Sequence, residues 1–281
     1  MISYRKAIVL GSGGIALALI LLAVILYGFF PGEDAAVPGD SKKPAEVQVP
    51  PELEPLASAD SMPSFTELEA GNERKKAFID YVTPIVRSVN HEVRQRRDAV
   101  LHLGQRLEQD GELAEPARVW LDQMARHFRV RASEPEERID ALKQKVDIVP
   151  VSLAVAQAAL ESNWGTSRFA RQGNNLFGKW CFSKGCGIVP ARRAEGAIHE
   201  VAAYDDVAEA TRDYMHHLNS HPVYEPMRER RARARAADHR PEGADLAAGL
   251  EKYSGKGREY VQYVRRVISA NELHELDGAA R

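Results

Sequence analysis

One glutamate, Glu161, has the setting that most clearly suggests chemistry, because it separates an apolar run from a turn rich in Asn, Gly and aromatic residues. From Val151 to Leu160 nearly every residue is apolar or small, which predicts a helix buried on most sides. Gly165 suits the end of that helix and places Glu161 in its last turn. Burial and the negative end of the helix dipole both raise the pKa of a carboxyl, as a general acid near neutral pH requires. A structural carboxylate tied to Arg168 would fit the same run.

Polar and aromatic side chains close to Glu161 in sequence are candidate sugar ligands. Gln157 precedes Glu161 by four residues and therefore shares its helix face. Amide groups can bond sugar hydroxyls and flat rings can cover pyranose faces, although the same residue types are common in ordinary turns and cores. The predicted substrate-binding residues are Gln157, Trp164, Asn175, Phe177, Trp180 and Glu195.

Two motifs resemble the glucosaminidase family, family seventy-three of the glycoside hydrolases. AQAALESNWGTS occupies residues 156–167 and NNLFG residues 174–178, with a departure at Asn163, where the family usually has glycine. The segment 203–224 is similar to the family's segment after its hairpin, and Tyr253 followed by Tyr260 resembles its closing tyrosine pair. The WCF, KGCG and VP pieces between Trp180 and Pro190 resemble the Bax-type subgroup. The resemblance covers roughly residues 147–276.

The resemblance implies hydrolysis of a β-1,4 bond in peptidoglycan on the reducing side of N-acetylglucosamine, with Glu161 as general acid. Glycoside cleavage needs a proton on the leaving oxygen, which one protonated carboxyl supplies. The second catalytic carboxylate is predicted on a β-hairpin that follows NNLFG. Glu200, on the returning strand of that hairpin, is slightly favoured over Glu195, which lies beside the turn at Gly196. Alternatively the substrate's own 2-acetamido group attacks the anomeric carbon, and Tyr253 orients or stabilises it.

Two other classes of function remain open from the sequence. A lytic transglycosylase or muramidase also has a Glu-Ser pair after a helix, but a GLMQ-like run would be expected where NNLFG stands. The other class is a catalytically silent scaffold that binds peptidoglycan. It remains open because the sequence motifs do not identify the second catalytic carboxylate.

The N-terminal part of the sequence predicts a membrane anchor. Residues 7–30 contain no charge and exceed the roughly 20 residues that cross a bilayer as a helix. Arg5 and Lys6 precede this span, so the positive-inside rule predicts a single-pass inner-membrane protein with its catalytic domain in the periplasm. Residues 31–63 hold seven of the fifteen prolines and predict a semi-extended tether. The predicted partners are peptidoglycan glycan strands and, through the anchor, the membrane.

The two cysteines, Cys181 and Cys186, predict a disulfide in an exported chain. No metal site is predicted, because the sequence has no second CxxC and no HExxH, and no cofactor is implied. With 38 Lys and Arg against 40 Asp and Glu, no pull toward nucleic acid is expected. A run of arginines from Arg228 to Arg240 is interpreted as a solvated helix face, with carboxylates of wall peptides or anionic lipid as alternative partners.

The predicted fold is mainly α: a lysozyme-like helical lobe with one small β-hairpin, preceded by a helical hairpin, the tether and the transmembrane helix. Helical spacing predicts a helix over 77–109, broken or bent near Pro84, a second near 115–129, and a third opened by a capping box of Ser133 and Glu136. The hairpin is expected near 187–204. Helices are expected from Asp206, an N-cap with Glu209 three residues further on, to about residue 275. The predicted domains are 1–30 (anchor), 31–63 (linker), 64–146 (helical region), 147–276 (catalytic) and 277–281 (tail).

Overall fold

The computed structural model of the protein describes residues 62–191, 193 and 195–278. The predicted anchor and nearly all of the predicted tether lie outside these residues. Within the described part of the chain, none of the helices is long and apolar enough to cross a membrane.

Three helices precede the segment that is predicted to be catalytic. Helix α1 continues without a break through Pro84, which is exposed, and it ends at Gly111, whose left-handed backbone lets its N–H bond the carbonyl of Leu107 at 3.0 Å. The predicted capping box at the third helix is wrong: its N-cap is Glu134, without a side-chain cap, and Pro135 at the first helical position supplies the suitable φ instead. The bounds are α1 Asn72–Asp110, α2 Glu115–His127 and α3 Pro135–Lys145.

Helix α4, Val151–Ser162, is the most deeply buried helix around the site, and every residue from 151 to 159 is buried. Its C-terminus is a run of three residues with positive φ: Asn163 at 51°, Trp164 at 58° and Gly165 at 76°. Asn tolerates this conformation better than most residues, which fits its presence where the family usually has glycine. A Cβ at Gly165 would lie 2.4 Å from the Phe65 ring, so only glycine fits there.

A small antiparallel sheet follows α4 and the short helix α5, Arg168–Gly173. The predicted hairpin corresponds to two of its strands, and a third strand, not predicted, completes the sheet in the order β1-β3-β2. Trp180 pairs with Val201, and Gly187 pairs with Ala202. The strands are β1 Trp180–Cys181, β2 Gly187–Ile188 and β3 Glu200–Ala202.

The remaining chain is helical with short 3-10 turns, as predicted. Asp206 caps the first of these helices, and its carboxylate accepts the backbone N–H of Glu209 at 2.7 Å. The α-helices are α6 Val207–Ser220, α7 Glu225–Ala236, α8 Gly243–Leu246 and α9 Arg258–Ala270. The 3-10 turns are Pro222–Tyr224, Ala247–Gly249 and Leu273–Asp277.

Two hydrophobic cores share helix α1. Its first half, from Phe78 to Val93, packs with α4, α6 and α9 in the larger core. Its second half, from Val100 to Leu107, packs with α2 and α3 in the smaller core. The mainly helical architecture with a small sheet is therefore confirmed, and the predicted helical hairpin packs directly on the catalytic segment.

The arginine run on α7 is not simply a solvated face. Arg231 is 1% exposed and donates to backbone carbonyls between residues 144 and 148 and to the side-chain oxygen of Asn219. Arg228 is also buried and donates to the carbonyls of Leu218 and His221 at 2.8 and 2.9 Å. The interpretation as a solvated face is wrong for these two residues, because their guanidinium groups satisfy loop carbonyls inside the fold.

Candidate active site

Glu161 lies in the last turn of α4, half-buried, with its carboxyl directed toward the turn of the NNLFG motif. A Cβ built on Gly178 would lie 3.2 Å from an oxygen of that carboxyl. Gly178 has a positive φ of 64°, so glycine both permits the turn and leaves room beside the acid. The motifs AQAALESNWGTS and NNLFG therefore lie against each other at Glu161.

Burial raises the pKa of Glu161, and a hydrogen bond from Tyr260 and the charge of Lys256 offset only part of that rise. The described groups that most influence this pKa are thus a tyrosine and a lysine, not a second carboxylate. A carboxyl that keeps its proton up to a higher pH than usual is suited to donate it during catalysis.

Four tyrosines surround the acid: Tyr214, Tyr224, Tyr253 and Tyr260. The rings of Tyr253 and Tyr260 are stacked with centroids 5.4 Å apart, and Tyr224 lies 6.0 Å from Tyr253. Burial, with the nearby Glu161 charge, raises the pKa of Tyr224 to about 12. These hydroxyls therefore stay protonated, and Tyr260 is the one that donates a hydrogen bond to the carboxyl of Glu161.

Gln157 does not reach a ligand site, contrary to its predicted role in substrate binding. It is fully buried and bridges two of the tyrosines. The Tyr214 hydroxyl donates to its amide oxygen at 2.7 Å, and its amide N–H donates to the Tyr260 hydroxyl oxygen at 2.9 Å. Since Tyr260 in turn bonds Glu161, Gln157 is a positioning residue that acts through Tyr260.

Asn175 and Phe177, also predicted to bind substrate, are internal supports of the turn. Asn175 is 1% exposed; its amide group donates to the carbonyls of Lys179 and Ala202, and its oxygen accepts the N–H of Lys179 at 3.1 Å. Phe177 is equally buried and stacks on Tyr214 at 4.0 Å. Their polar and aromatic groups are already occupied, so neither faces a substrate.

Tyr253 keeps a place at the site. Its hydroxyl donates to the carbonyl of Phe177 at 2.9 Å, which fixes the tyrosine against the NNLFG turn. Burial and the neighbouring tyrosines raise its pKa well above the usual value. The hydroxyl oxygen keeps a lone pair, so the group can still accept a hydrogen bond from a ligand.

The two tryptophans have different surroundings. Trp164 is half-buried, with its ring edge-on to Phe78 at 5.7 Å and the Lys75 ammonium 5.5 Å from its centroid. Trp180 is 55% exposed on β1 and stacks on His199 at 4.4 Å. Of the two tryptophans predicted to bind substrate, Trp180 therefore has the more exposed ring face.

Glu200, the predicted second catalytic carboxylate, faces neither a cleft nor open water. It is 4% exposed, and its two oxygens accept the backbone N–H groups of Gly185 and Gly187 at 3.1 and 2.9 Å. These two hydrogen bonds lower its pKa. The structure therefore gives Glu200 the role of holding the loop between β1 and β2, which corrects the prediction of a base.

The same loop contains the disulfide between Cys181 and Cys186, with Cα atoms 6.2 Å apart. Together with Glu200, the two sulfurs form a compact group, but sulfurs joined to each other do not serve as thiolate ligands of a metal. Glu195 is exposed in the connection before β3, and its role in substrate binding stays a prediction.

Tyr214, Tyr224 and Lys256 are the residues of the Glu161 environment that sequence reasoning missed. Tyr214 stands on the buried face of α6 with Ala210 and Leu218, and this helical spacing is that of an ordinary core residue. Lys256 lies in the turn before α9, where no motif drew attention to it.

Comparisons with known proteins agree with the motifs. The family model described as mannosyl-glycoprotein endo-beta-N-acetylglucosaminidase, the glucosaminidase family, matches residues 136–273. Protein bax of Escherichia coli strain K12 is 31% identical over 218 residues, which cover 77% of this chain and 76% of bax. Among solved structures, the catalytic domain of the autolysin Auto from Listeria monocytogenes is similar, with 17% identity and a TM-score of 0.37, over 75% of this chain and 92% of that chain. The chain therefore belongs to the glucosaminidase family and is a glycoside hydrolase, a membership that implies glycosidase activity on peptidoglycan.

Proposed function

We propose that the protein is a membrane-anchored endo-β-N-acetylglucosaminidase that cleaves β-1,4 bonds of peptidoglycan on the reducing side of N-acetylglucosamine, with Glu161 as general acid. The observation that carries this proposal is the position of Glu161: a half-buried carboxyl with a raised pKa, enclosed by tyrosines, beside a glycine that leaves it room. In such a setting a carboxylic acid keeps its proton up to a higher pH than usual and can release it to a leaving oxygen.

Of the two routes to the second half of the reaction, the substrate-assisted one has the better support. Glu200 is committed to two loop N–H groups, which weakens the case for it as a protein base or nucleophile. In the proposed step, Glu161 protonates the bridging oxygen as the C1–O bond breaks, and the carbonyl oxygen of the 2-acetamido group bonds to C1. The Glu161 carboxylate then takes a proton from water, whose oxygen displaces the acetamido oxygen and gives the hemiacetal product.

Tyr253 is proposed to orient the acetamido group in this step. Its hydroxyl is fixed by the carbonyl of Phe177, and its oxygen can accept the acetamido N–H. That bond would increase negative charge on the acetamido oxygen and so favour its attack on C1.

The direct test is product analysis after incubation of the full-length protein, purified in detergent, with peptidoglycan. Mass spectrometry of the new reducing ends should find N-acetylglucosamine, and Glu161→Gln should release far less of it than the parent protein in the same time. Reducing or anhydro N-acetylmuramic acid would instead indicate a muramidase or a lytic transglycosylase. Binding without release would indicate a scaffold.

The membrane anchor and the periplasmic location are separate parts of the proposal and rest on the apolar span 7–30 and its flanking charges. A fusion of a periplasm-dependent reporter to the C-terminus should be active and should sediment with the inner membrane. Recovery of the fusion in the soluble fraction would contradict the anchor.

A further inference from the structure

A cavity apart from the surroundings of Glu161 lies between α1, the start of α4, the end of α7 and the segment that follows it. It encloses about 300 Å³. Three of its lining residues, Arg87, Asn90 and Arg94, occur at i, i+3 and i+7 on α1 and therefore share one face of that helix. The facing wall consists of Arg235 and residues 238–241, so the cavity joins the N-terminal helical region to the arginine-rich segment.

The lining has an excess of positive charge. It contains four arginines, with Arg235 and Arg240 added to the two on α1, against two aspartates, Asp238 and Asp277, and it also contains His239. An excess of this kind in a concave surface concentrates anions.

Neither aspartate cancels much of the positive charge of the arginines that line the cavity. The carboxylate of Asp277 accepts three protein hydrogen bonds, from the N–H and hydroxyl of Ser152 at 2.9 and 2.6 Å and from the N–H of Gly243 at 3.1 Å. Asp238 is exposed, in a turn with positive φ, and has no ion pair with the described arginines. Arg235 is the arginine already neutralised, because it donates to both oxygens of the buried Asp147 at 2.8 and 3.1 Å.

Arg87 and Arg94 are the groups without partners. Neither forms a hydrogen bond or ion pair with another described residue. The Nε of Arg87 is buried and has no acceptor, which is costly for a charged donor unless a ligand supplies one. A guanidinium offers paired donors that match two oxygens of one anion.

We propose that this cavity is a binding site for a phosphate-type oxyanion, with Arg87 and Arg94 as its principal ligands and Arg240 and His239 at its rim. The cavity includes Val151, at the start of α4, whereas Glu161 lies at the other end of that helix, about 15 Å along its axis. The anion therefore does not occupy the place of the sugar that is cleaved. Its source is either the headgroup of an anionic phospholipid or free phosphate, and the two share the chemistry that the arginines recognise.

Thermal unfolding of the full-length protein in a non-ionic detergent tests the proposal, since a ligand that binds only the folded state raises the midpoint. The probes are inorganic phosphate, with chloride at equal ionic strength as reference, and mixed micelles containing either phosphatidylglycerol or phosphatidylcholine. If phosphate raises the unfolding midpoint and the two lipids do not differ, free phosphate is the ligand. A further rise with phosphatidylglycerol but not phosphatidylcholine identifies the lipid headgroup.

Arg87→Ala and Arg94→Ala remove no hydrogen bond of the described fold, so both variants should fold like the parent protein by circular dichroism. Each should bind the effective probe about tenfold more weakly, the loss expected for one charge-assisted contact. Arg126→Ala removes one exposed arginine from α2, outside the cavity, and should bind like the parent. Absence of any midpoint shift, or equal weakening in Arg126→Ala and Arg87→Ala, would overturn the proposal.

Discussion

The surroundings of Glu161 and Glu200 show how two glutamates of one predicted catalytic pair acquire opposite properties. Glu161 ends a buried helix, where desolvation raises its pKa and no backbone N–H of the described residues donates to its carboxyl. Glu200 lies on a central strand, where two loop N–H groups lower its pKa. Both residues are shielded from water to a large extent, so burial alone does not identify an acid. The hydrogen-bond donors that surround a carboxyl decide whether it keeps its proton.

The largest expected effect separates the two glutamates by activity. Glu161→Gln should lower the rate of glycan cleavage by about 10²–10⁴-fold, the range that a general acid contributes. Glu200→Gln should stay within about tenfold of the parent, because its effect passes only through the loop. Turbidity loss of purified peptidoglycan measures both rates, with Glu108→Gln, at an exposed position on α1, as control. Equal inactivation by the Glu161 and Glu200 variants would contradict the assignment of a structural role to Glu200.

The next effect concerns the Gln157 bridge behind Glu161. Gln157→Leu leaves the hydroxyls of Tyr214 and Tyr260 without their shared partner and should lower the free energy of unfolding by about 1–3 kcal/mol. It should also shift the pH profile of activity, because Tyr260 loses its orientation toward Glu161. Urea unfolding and rate measurements across pH test this. Gln172→Leu, on the exposed face of α5, is the control and should change neither. A stability loss without any change in the pH profile would reduce Gln157 to a packing role.

On the Glu200 side, the corresponding disruption is removal of the disulfide. Replacement of both Cys181 and Cys186 by serine should lower the free energy of unfolding by about 2 kcal/mol, the chain-entropy value for so short a loop. Because the bridge supports the loop and not the acid, the activity of the folded protein should change less than in Gln157→Leu. Denaturant unfolding followed by the assay at low temperature measures both quantities. Complete inactivation of a folded double variant would place the loop in the reaction itself.

The smallest effect is a difference in how stability depends on pH. Because the pKa of Glu161 is raised, the folded protein binds the proton of this carboxyl more tightly than the unfolded chain does. The group therefore stabilises the fold below the ordinary glutamate pKa of about 4.3. That contribution is lost as the pH rises through the folded pKa. Glu200, with a lowered pKa, contributes above the ordinary value and loses that contribution as pH falls through its folded pKa.

At pH 7, Glu161→Gln should therefore raise the melting temperature and Glu200→Gln should lower it. Calorimetry at pH 7 and again near pH 4 tests the signs, and the difference between the two variants should shrink at the lower pH. Shifts of the same sign in both variants at pH 7 would show that their environments are not opposite.

The sequence was sufficient to predict what depends on local pattern. The buried helix that ends near Glu161 followed from a continuous apolar run, and the cap at Asp206 followed from the spacing to Glu209. The capping box at Ser133 failed because Pro135 at the first helical position moved the helix start, which is a competition between two local signals.

What could not be predicted depends on contacts between distant segments. Gln157, Asn175 and Phe177 have residue types suited to a sugar, and only the fold reveals that their groups are already bonded or stacked inside. Arg231 looked like any charge on an exposed helix, yet it binds carbonyls more than 80 positions earlier in the chain. A sequence pattern reports what a side chain can bond, and the tertiary structure decides which partner reaches it first.

Helix α1 makes the functional unit longer than the part of the sequence that the family model matches. The family match begins at residue 136, downstream of α1, yet the Phe65 and Phe78 rings pack against the turn at Trp164 and Gly165 that ends the helix carrying the acid. A fragment of residues 136–281 would expose that apolar surface to water, and in gel filtration it should elute as aggregates instead of a monomer. Transplanting this enzyme into another protein would thus require residues 62–135 as well, because they supply one wall of its interior.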